Sequence, residues 1–149
     1  MAFTEICKSF EALTPQELYA LLRLRSEVFV VEQNCVFQDM DDKDQKGVHV
    51  LGYDGDILVA YSRLLPAGVS YGEMSIGRVL TDTGRRKEGF GIELMKQSIQ
   101  SMYELYGQRP IKIGAQLYLK KFYEGFGFVQ TSDVYLEDGI PHVEMVCPL

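Results

Sequence analysis

The sequence predicts an α/β (α+β) fold in which a mixed, mostly antiparallel central sheet is flanked by helices on both faces. Two observations predict the antiparallel part: Asp54-Gly55 and Asp138-Gly139 each separate two apolar runs, which is typical of hairpins. A third is the strand–helix–strand pattern between them, which indicates a parallel crossover. The element order is therefore βαβββαβαββ, and the helices are expected to cover both faces of the sheet.

The first helix is the element with the clearest start. Thr14 has the chemistry of an N-cap, Pro15 suits the first helical position, and Glu17 completes a capping box. Apolar residues then recur at helical spacing, and the helix is expected to end near Glu32. The aspartate-rich loop over 34–47 follows, with room for a short helix.

The remaining elements follow from the apolar periodicity and from the glycine-bearing turns. The predicted strands cover residues 3–9, 48–53, 56–65, 73–81 and 111–115, with a final hairpin after Gly127-Phe128. The predicted later helices cover about 89–106 and 117–125.

Length and composition narrow the classes of protein. The 149 residues fit one domain, 1–149, of ordinary globular composition. A net charge of −6 argues against binding to nucleic acid and to anionic membranes, both of which need clustered cations. The three cysteines are widely spaced, so we expect free thiols and a reducing, cytoplasmic location. Neither a targeting segment nor a membrane span is expected.

A basic, glycine-bearing loop precedes the second long helix and has the chemistry of an anion site. Arg86, Gly89 and Gly91 stand where a backbone can approach a phosphate and where helix N–H groups are free. The pattern is neither a Walker A loop nor a dinucleotide fingerprint, since Gly-Lys-Ser/Thr and the third glycine are missing. The alternative is a glycine-rich turn with solvated basic residues.

A second motif adds to this loop. Gln116 is followed seven residues later by Tyr123, and Gly127-Phe128 comes four residues after that. The two motifs and the element order together resemble the GNAT superfamily of acetyl-CoA-dependent N-acetyltransferases, with Gln116 in place of an Asn-like residue. Segments at both ends of the chain are similar to the ElaA-like branch: 28–35, 38–41, 76–79 and 137–142. Lys87 departs from that branch, which usually has glycine there, and either strains the backbone or adds a cation.

The resemblance implies a GNAT-like domain that takes acetyl-CoA as its co-substrate. It places the pantetheine arm against the strand before the loop and the pyrophosphate on the loop itself. The implied cofactor-binding residues are Val79, Leu80, Thr81, Arg86, Lys87, Glu88, Gly89, Phe90, Gly91 and Gln116.

The expected reaction is attack of a neutral primary amine on the thioester, with strand N–H groups stabilising the oxyanion. Tyr123 is the candidate general acid for the departing thiolate, and the alternative is an ordinary core aromatic residue. Glu73 is a candidate general base, beside Glu32 or a chain of water molecules.

The acceptor side is expected to attract a cationic amine of a small molecule or peptide. The candidate residues are Glu32, Gln33, Asp39, Asp41 and His142. For the acidic segment the alternatives are a solvated charge run or a structural network with Arg25, Arg63 and Arg78.

A metal site is not expected, because the two histidines have no ligand-like spacing. The alternative function is a non-catalytic acyl-CoA-binding or sensing module on the same fold. A homodimer is compatible with either function.

Overall fold

Eight strands form one sheet in the computed structural model, which describes residues 3–148, the Lys87 side chain excepted. The order across the sheet is β1-β2-β3-β4-β5-β8-β6, and β7 pairs with β8. The strands are β1 (Phe3–Ser9), β2 (Val48–Asp54), β3 (Ile57–Leu65), β4 (Met74–Thr81), β5 (Ile111–Gln116), β6 (Val129–Gln130), β7 (Tyr135–Glu137) and β8 (Ile140–Cys147). Among the described strands only β4 and β5 pair in parallel, so the predicted mixed, mostly antiparallel sheet is confirmed.

Over residues 3–148, three α-helices accompany the sheet: α1 (Pro15–Arg25), α2 (Phe90–Tyr106) and α3 (Lys120–Glu124). The capping box at the start of α1 is confirmed, since the Thr14 side chain accepts from the Glu17 N–H and Glu17 accepts from the Thr14 N–H. The helix continues to Glu32 as wider π-helical turns over Ser26–Glu32. Such turns are frequent at functional sites, and here they lead directly to Gln33.

The two faces of the sheet carry separate cores. Val50 and Leu51 are neighbours on β2, and because side chains alternate along a strand they enter different cores. The larger core lies under α2 and α3 and contains Leu94, Met95 and Tyr123. The smaller core lies under α1 and contains Leu21 and Leu24. Helices therefore cover both faces, as predicted.

The two predicted hairpins are confirmed, with one shift of position. In the second hairpin Asp138 and Gly139 both take positive φ, +52° and +77°, as a type I′ turn requires. In the first hairpin the connecting residues are Gly55 and Asp56, one position later than predicted. The predicted order lacks strand β6, because a strand of two residues is too short to show an alternating apolar pattern.

Candidate active site

A cavity of about 730 Å³ opens where β4 and β5 separate. The two strands pair only at Met74–Ile111 and Ser75–Lys112, next to the start of each strand. From there to Thr81, no described strand pairs with β4 on its β5 side. Its backbone groups on that side are therefore free to pair with a bound molecule.

A β-bulge lies just beyond the last paired residues. The pairing of β3 with β4 shifts register between Tyr61 and Arg63, opposite Gly77–Leu80. Arg78 has a φ of +51° there, which costs a non-glycine residue about 1–3 kcal/mol. A bulge bends its strand, and this one lies where β4 turns away from β5. Arg78 is held in this conformation by Asp39, whose carboxylate and carbonyl oxygens both accept from its guanidinium at 2.8 and 2.9 Å.

The basic loop meets the cavity at the start of α2. Gly89 takes a φ of +78°, and among the described side chains none caps the helix. The first N–H groups of α2 thus have no partner within the helix. Gly91 lines the cavity, and its missing side chain leaves the backbone accessible. This is the geometry of an anion site at a helix N-terminus.

The arginines of this loop are engaged by carboxylates. Arg86 pairs with Glu32, which also accepts a hydrogen bond from the Thr83 hydroxyl. The hydrogen bond from Arg86 lowers the pKa of Glu32. Arg85 pairs with Asp54 on β2. The structure therefore places Glu32 at the loop and outside the cavity lining, whereas the sequence suggested the acceptor side.

The other expected cofactor residues divide into two groups. Those that line the cavity are Val79, Leu80, Thr81, Arg86, Gly91 and Gln116. Phe90 does not, because its ring is buried and stacks on Phe3 at 4.5 Å, so only its backbone can serve the loop. Glu88 and Gly89 are exposed outside the lining. The Lys87 side chain lies outside the described part of the chain, and its backbone belongs to the 3₁₀ turn Thr83–Glu88, a conformation of negative φ.

Gln33 and Gln116 form a reciprocal amide pair across the cavity. Each side-chain nitrogen donates to the other side-chain oxygen at 3.2 Å. The pair joins the end of the π-helical turns to the end of β5, which are 83 residues apart in sequence. The sequence predicts Gln33 at the acceptor and Gln116 at the cofactor. Because the two side chains are in contact, the cofactor side and the acceptor side of the cavity are continuous.

Tyr123 lies on α3 at the inner wall of the same cavity. It is 6% exposed, and its ring packs edge-on against Phe122 and Phe128. Among the described residues, no side chain or backbone group is hydrogen-bonded to its hydroxyl. Burial raises the pKa of Tyr123 well above its ordinary value of ~10, so the phenol is protonated at neutral pH.

Glu73 lies at the opposite end of β4 from the expected chemistry. It immediately precedes Met74, where β4 and β5 are still paired, and it is not among the lining residues. At roughly 3.3 Å per residue, Val79 is about 20 Å further along the strand. The geometry gives no support to Glu73 as the general base.

A network of three arginines and three aspartates closes one side of the cavity. Arg25 is fully buried and donates to Asp39 at 2.8 Å and to Asp44 at 2.7 Å. Arg63 donates to Asp41 through two nitrogens at 2.8 Å each and to Asp44 at 2.9 Å. With Arg78 the charges balance, three against three. The geometry therefore favours the alternative in which the acidic segment forms a structural network with Arg25, Arg63 and Arg78.

This network changes the expected role of two carboxylates. Asp39 is buried and outside the cavity lining, and Asp41 lines the cavity with both oxygens bound to arginine. Burial would raise the pKa of Asp41, but the hydrogen bonds and charge of Arg63 outweigh it and lower the pKa. Neither aspartate is free to bind a cationic acceptor.

The carboxylates that line the cavity without an arginine or lysine partner among the described residues are Glu137 and Asp138, at the β7–β8 turn. Both residues lie in the 137–142 segment that resembles the ElaA-like branch. The sequence predicts an Asp-Gly hairpin turn in this segment and a functional role for neither carboxylate. His142 lies beside them on β8, lines the cavity and is buried. The role of His142 at a substrate pocket stays a prediction, and its place in the cavity lining is compatible with it.

The described part of the chain has neither a metal-binding cluster nor a membrane-spanning helix. Over residues 3–148, no group of three or more potential ligand side chains is arranged to hold a metal ion. In the same range, no helix has the length and apolar character needed to cross a bilayer.

Comparisons with known proteins agree with this architecture. Residues 11–149 match the family model for the acetyltransferase (GNAT) domain. The chain is 44% identical to protein ElaA of Escherichia coli K12 over 135 residues, 89% of this chain and 88% of that one. The crystal structure of E. coli ElaA superposes with a TM-score of 0.91 at 39% identity, over 97% of this chain and 99% of that one.

Two further structures extend the comparison. An acyl-CoA N-acyltransferase from Pseudomonas aeruginosa has a TM-score of 0.92 at 40% identity, over 97% of this chain and 99% of that one. An aminoglycoside 6′-N-acetyltransferase complexed with coenzyme A shares the fold at 17% identity, with a TM-score of 0.67 over 95% of each chain. The family match covers nearly the whole sequence and includes both motifs. The chain therefore belongs to the GNAT family of acetyltransferases.

Proposed function

We propose that the protein is an N-acetyltransferase that transfers the acetyl group of acetyl-CoA to a primary amine by direct attack. The observation that carries the proposal is the cavity between β4 and β5. It runs from the uncapped start of α2 at Gly91 to the hydroxyl-bearing wall at Tyr123. One elongated thioester could thus meet an anion site and a proton donor at once.

The donor fits this cavity by its chemistry. Free N–H groups at the start of α2 suit a pyrophosphate, and Arg86, which pairs with Glu32, lines the cavity beside them. The unpaired edge of β4 beyond Ser75 suits the amide groups of a pantetheine arm, which can pair with a strand. The CoA complex of the fold relative and the acyl-CoA N-acyltransferase from P. aeruginosa support an acyl-CoA donor.

The reaction requires a neutral amine, an oxyanion contact and a proton donor for sulfur. The free N–H groups of β4 past the bulge lie at the wall of the cavity and suit the oxyanion. Tyr123 would donate a hydrogen bond to the departing thiolate. Because burial raises the pKa of Tyr123, complete proton transfer is uphill from an isolated phenol. The hydrogen bond to developing charge is then its main contribution.

The acceptor is a cationic amine in this proposal, either of a small molecule or of a peptide. The attraction comes from Glu137 and Asp138, which have no arginine or lysine partner among the described residues, and not from the aspartates of the buried network. Cys7, Cys35 and Cys147 are free thiols, which supports a cytoplasmic location.

The test is a screen of acetyl-CoA with a panel of primary amines that records the release of free CoA thiol. We expect turnover with a subset of amines that carry an apolar body and a single ammonium group. Binding of CoA without turnover of any amine would favour the non-catalytic acyl-CoA module instead. Absence of CoA binding would contradict both functions.

A further inference from the structure

The ring of His142 is fixed in one tautomer by the backbone. Its Nδ1 lies 2.7 Å from the carbonyl oxygen of Ile140, which can only accept a hydrogen bond. Nδ1 must therefore carry the proton. In the neutral ring the lone pair is then on Nε2.

The lone pair of His142 is available, in contrast to that of the other histidine. His49 is fully buried, with Nδ1 2.6 Å from the Tyr61 hydroxyl and Nε2 2.9 Å from the Asp44 carbonyl oxygen. Both nitrogens of His49 are used in the core. Over residues 3–148, the Nε2 of His142 has no hydrogen bond; its charged neighbour is Glu137, whose Oε2 lies 3.6 Å away.

His142 lies between the residues expected to contact the two substrates. It pairs across β5 and β8 with Gln116, the residue expected to touch the pantetheine arm. It also stacks on Tyr135 with ring centroids 5.9 Å apart and lines the cavity beside the free carboxylates. A base at this place would stand between the thioester and the amine-attracting turn.

The titratable groups around His142 come from every neighbouring element. They are Glu137 and Tyr135 on β7, Asp138 in the turn, Glu144 on the same strand, Lys112 on β5, Tyr71 before β4, and Cys35 after the π-helical turns. Glu144 is neutralised by Lys112 at 3.1 Å, and burial keeps Tyr71 protonated. The carboxylate nearest Nε2 is thus Glu137, whose Oε2 lies 3.6 Å away.

We propose that His142 is the general base of the reaction, an inference that rests on the proposed function. Nε2 takes one proton from the acceptor ammonium, R–NH3⁺, and becomes imidazolium beside Glu137. The neutral amine forms the new C–N bond, and the C–S bond breaks as the tetrahedral intermediate collapses. The second N–H proton goes to the thiolate sulfur, which accepts a hydrogen bond from the Tyr123 hydroxyl. The imidazolium then releases its proton to solvent, so that amide, CoA–SH and one H⁺ are produced.

The kinetic test compares wild type with His142→Gln and His142→Ala on the best amine from the screen. We expect kcat/KM at pH 7 to fall about 100-fold or more with the Kd for CoA unchanged. The wild-type rate should decline as the pH is lowered, because the protonated ring cannot accept, and this limb should vanish in His142→Gln. Added imidazole should restore part of the activity of His142→Ala.

Glu137→Gln tests the partner of the ring. It should lower kcat/KM, whereas Glu104→Gln, an exposed carboxylate on α2, should have no effect. Unchanged kcat/KM in His142→Gln, or a persistent acid limb, would overturn the role of His142 while leaving the acetyltransferase itself intact. If wild type turns over no amine, the proposed function fails instead.

A measurement without turnover separates these outcomes. Long-range ¹H–¹⁵N spectra distinguish the two histidines of the chain and report which nitrogen carries the proton. We expect the neutral His142 ring to be protonated on Nδ1. A ring protonated on Nε2 would overturn the proposal, because no lone pair would face the acceptor.

Discussion

Replacement of Tyr123 by phenylalanine is expected to lower kcat about 100-fold or more and to leave the Kd for CoA unchanged. The ring that packs against Phe122 and Phe128 remains in the variant, so stability should be preserved. Only the hydroxyl is lost, and with it the hydrogen bond proposed to stabilise the departing thiolate. Steady-state kinetics and calorimetric titration with CoA measure the two quantities separately.

Tyr103→Phe is the matched control for this substitution. Tyr103 lies on α2, outside the cavity lining, and packs against the same large core. Its replacement should leave kcat within about twofold of wild type, since a distant substitution removes no contact with the transition state. Equal kcat values for Tyr123→Phe and Tyr103→Phe would show that the hydroxyl at position 123 has no part in the chemistry.

Replacement of Arg25 by methionine is expected to lower the free energy of unfolding by about 3–5 kcal/mol. Arg25 is fully buried, and its removal leaves Asp39 and Asp44 with one arginine each inside the protein. Loss of one partner from a buried ion network is costly because the remaining charges stay desolvated. Urea denaturation followed by circular dichroism measures the change.

Arg23→Met provides the comparison two residues earlier on the same helix. Arg23 is 72% exposed and pairs with Glu27 at 3.0 Å, a surface contact of the i,i+4 type. Its removal should cost no more than about 0.5 kcal/mol. Similar losses for the two variants would contradict the assignment of the Arg–Asp network as a structural element.

Local sequence rules accounted for the parts of the fold that depend on near neighbours. The capping box at Thr14 and the turn at Asp138-Gly139 are encoded within a few residues, and both are present. The bulge at Arg78 could not be read locally, because its positive φ is held by Asp39 from 39 residues away. Charge pairing also depends on residues that are far apart in sequence. Glu32 was expected at the acceptor side, but it pairs with Arg86.

The net charge of −6 shows how charges read along the sequence differ from charges as the fold pairs them. Read along the chain, the aspartates of the 34–47 loop suggest an acidic field for a cationic acceptor. In three dimensions Asp39, Asp41 and Asp44 are paired with arginines, and among the described residues the lining carboxylates without an arginine or lysine partner are Glu137 and Asp138. The attraction for an amine is therefore assigned to the β7–β8 turn.

The cavity between β4 and β5 is proposed to bind acyl-CoA with its pyrophosphate at the start of α2. Calorimetric titration of CoA and of pantetheine, which lacks the pyrophosphate, tests this claim in wild type, Gly91→Ala and Gly91→Glu. A Cβ at residue 91 would meet Thr81 Cγ2 at 3.7 Å and Phe122 Cζ at 3.8 Å, which are ordinary contacts, so alanine fits there. The glutamate adds a negative charge at the phosphate site.

We predict that wild type binds CoA at least about 100-fold more tightly than pantetheine, since two hydrogen bonds to a charged group contribute about 3 kcal/mol or more. Gly91→Ala should retain most of this preference, and Gly91→Glu should lose most of it. Equal affinity for CoA and pantetheine in wild type, or an undiminished preference in Gly91→Glu, would contradict the account.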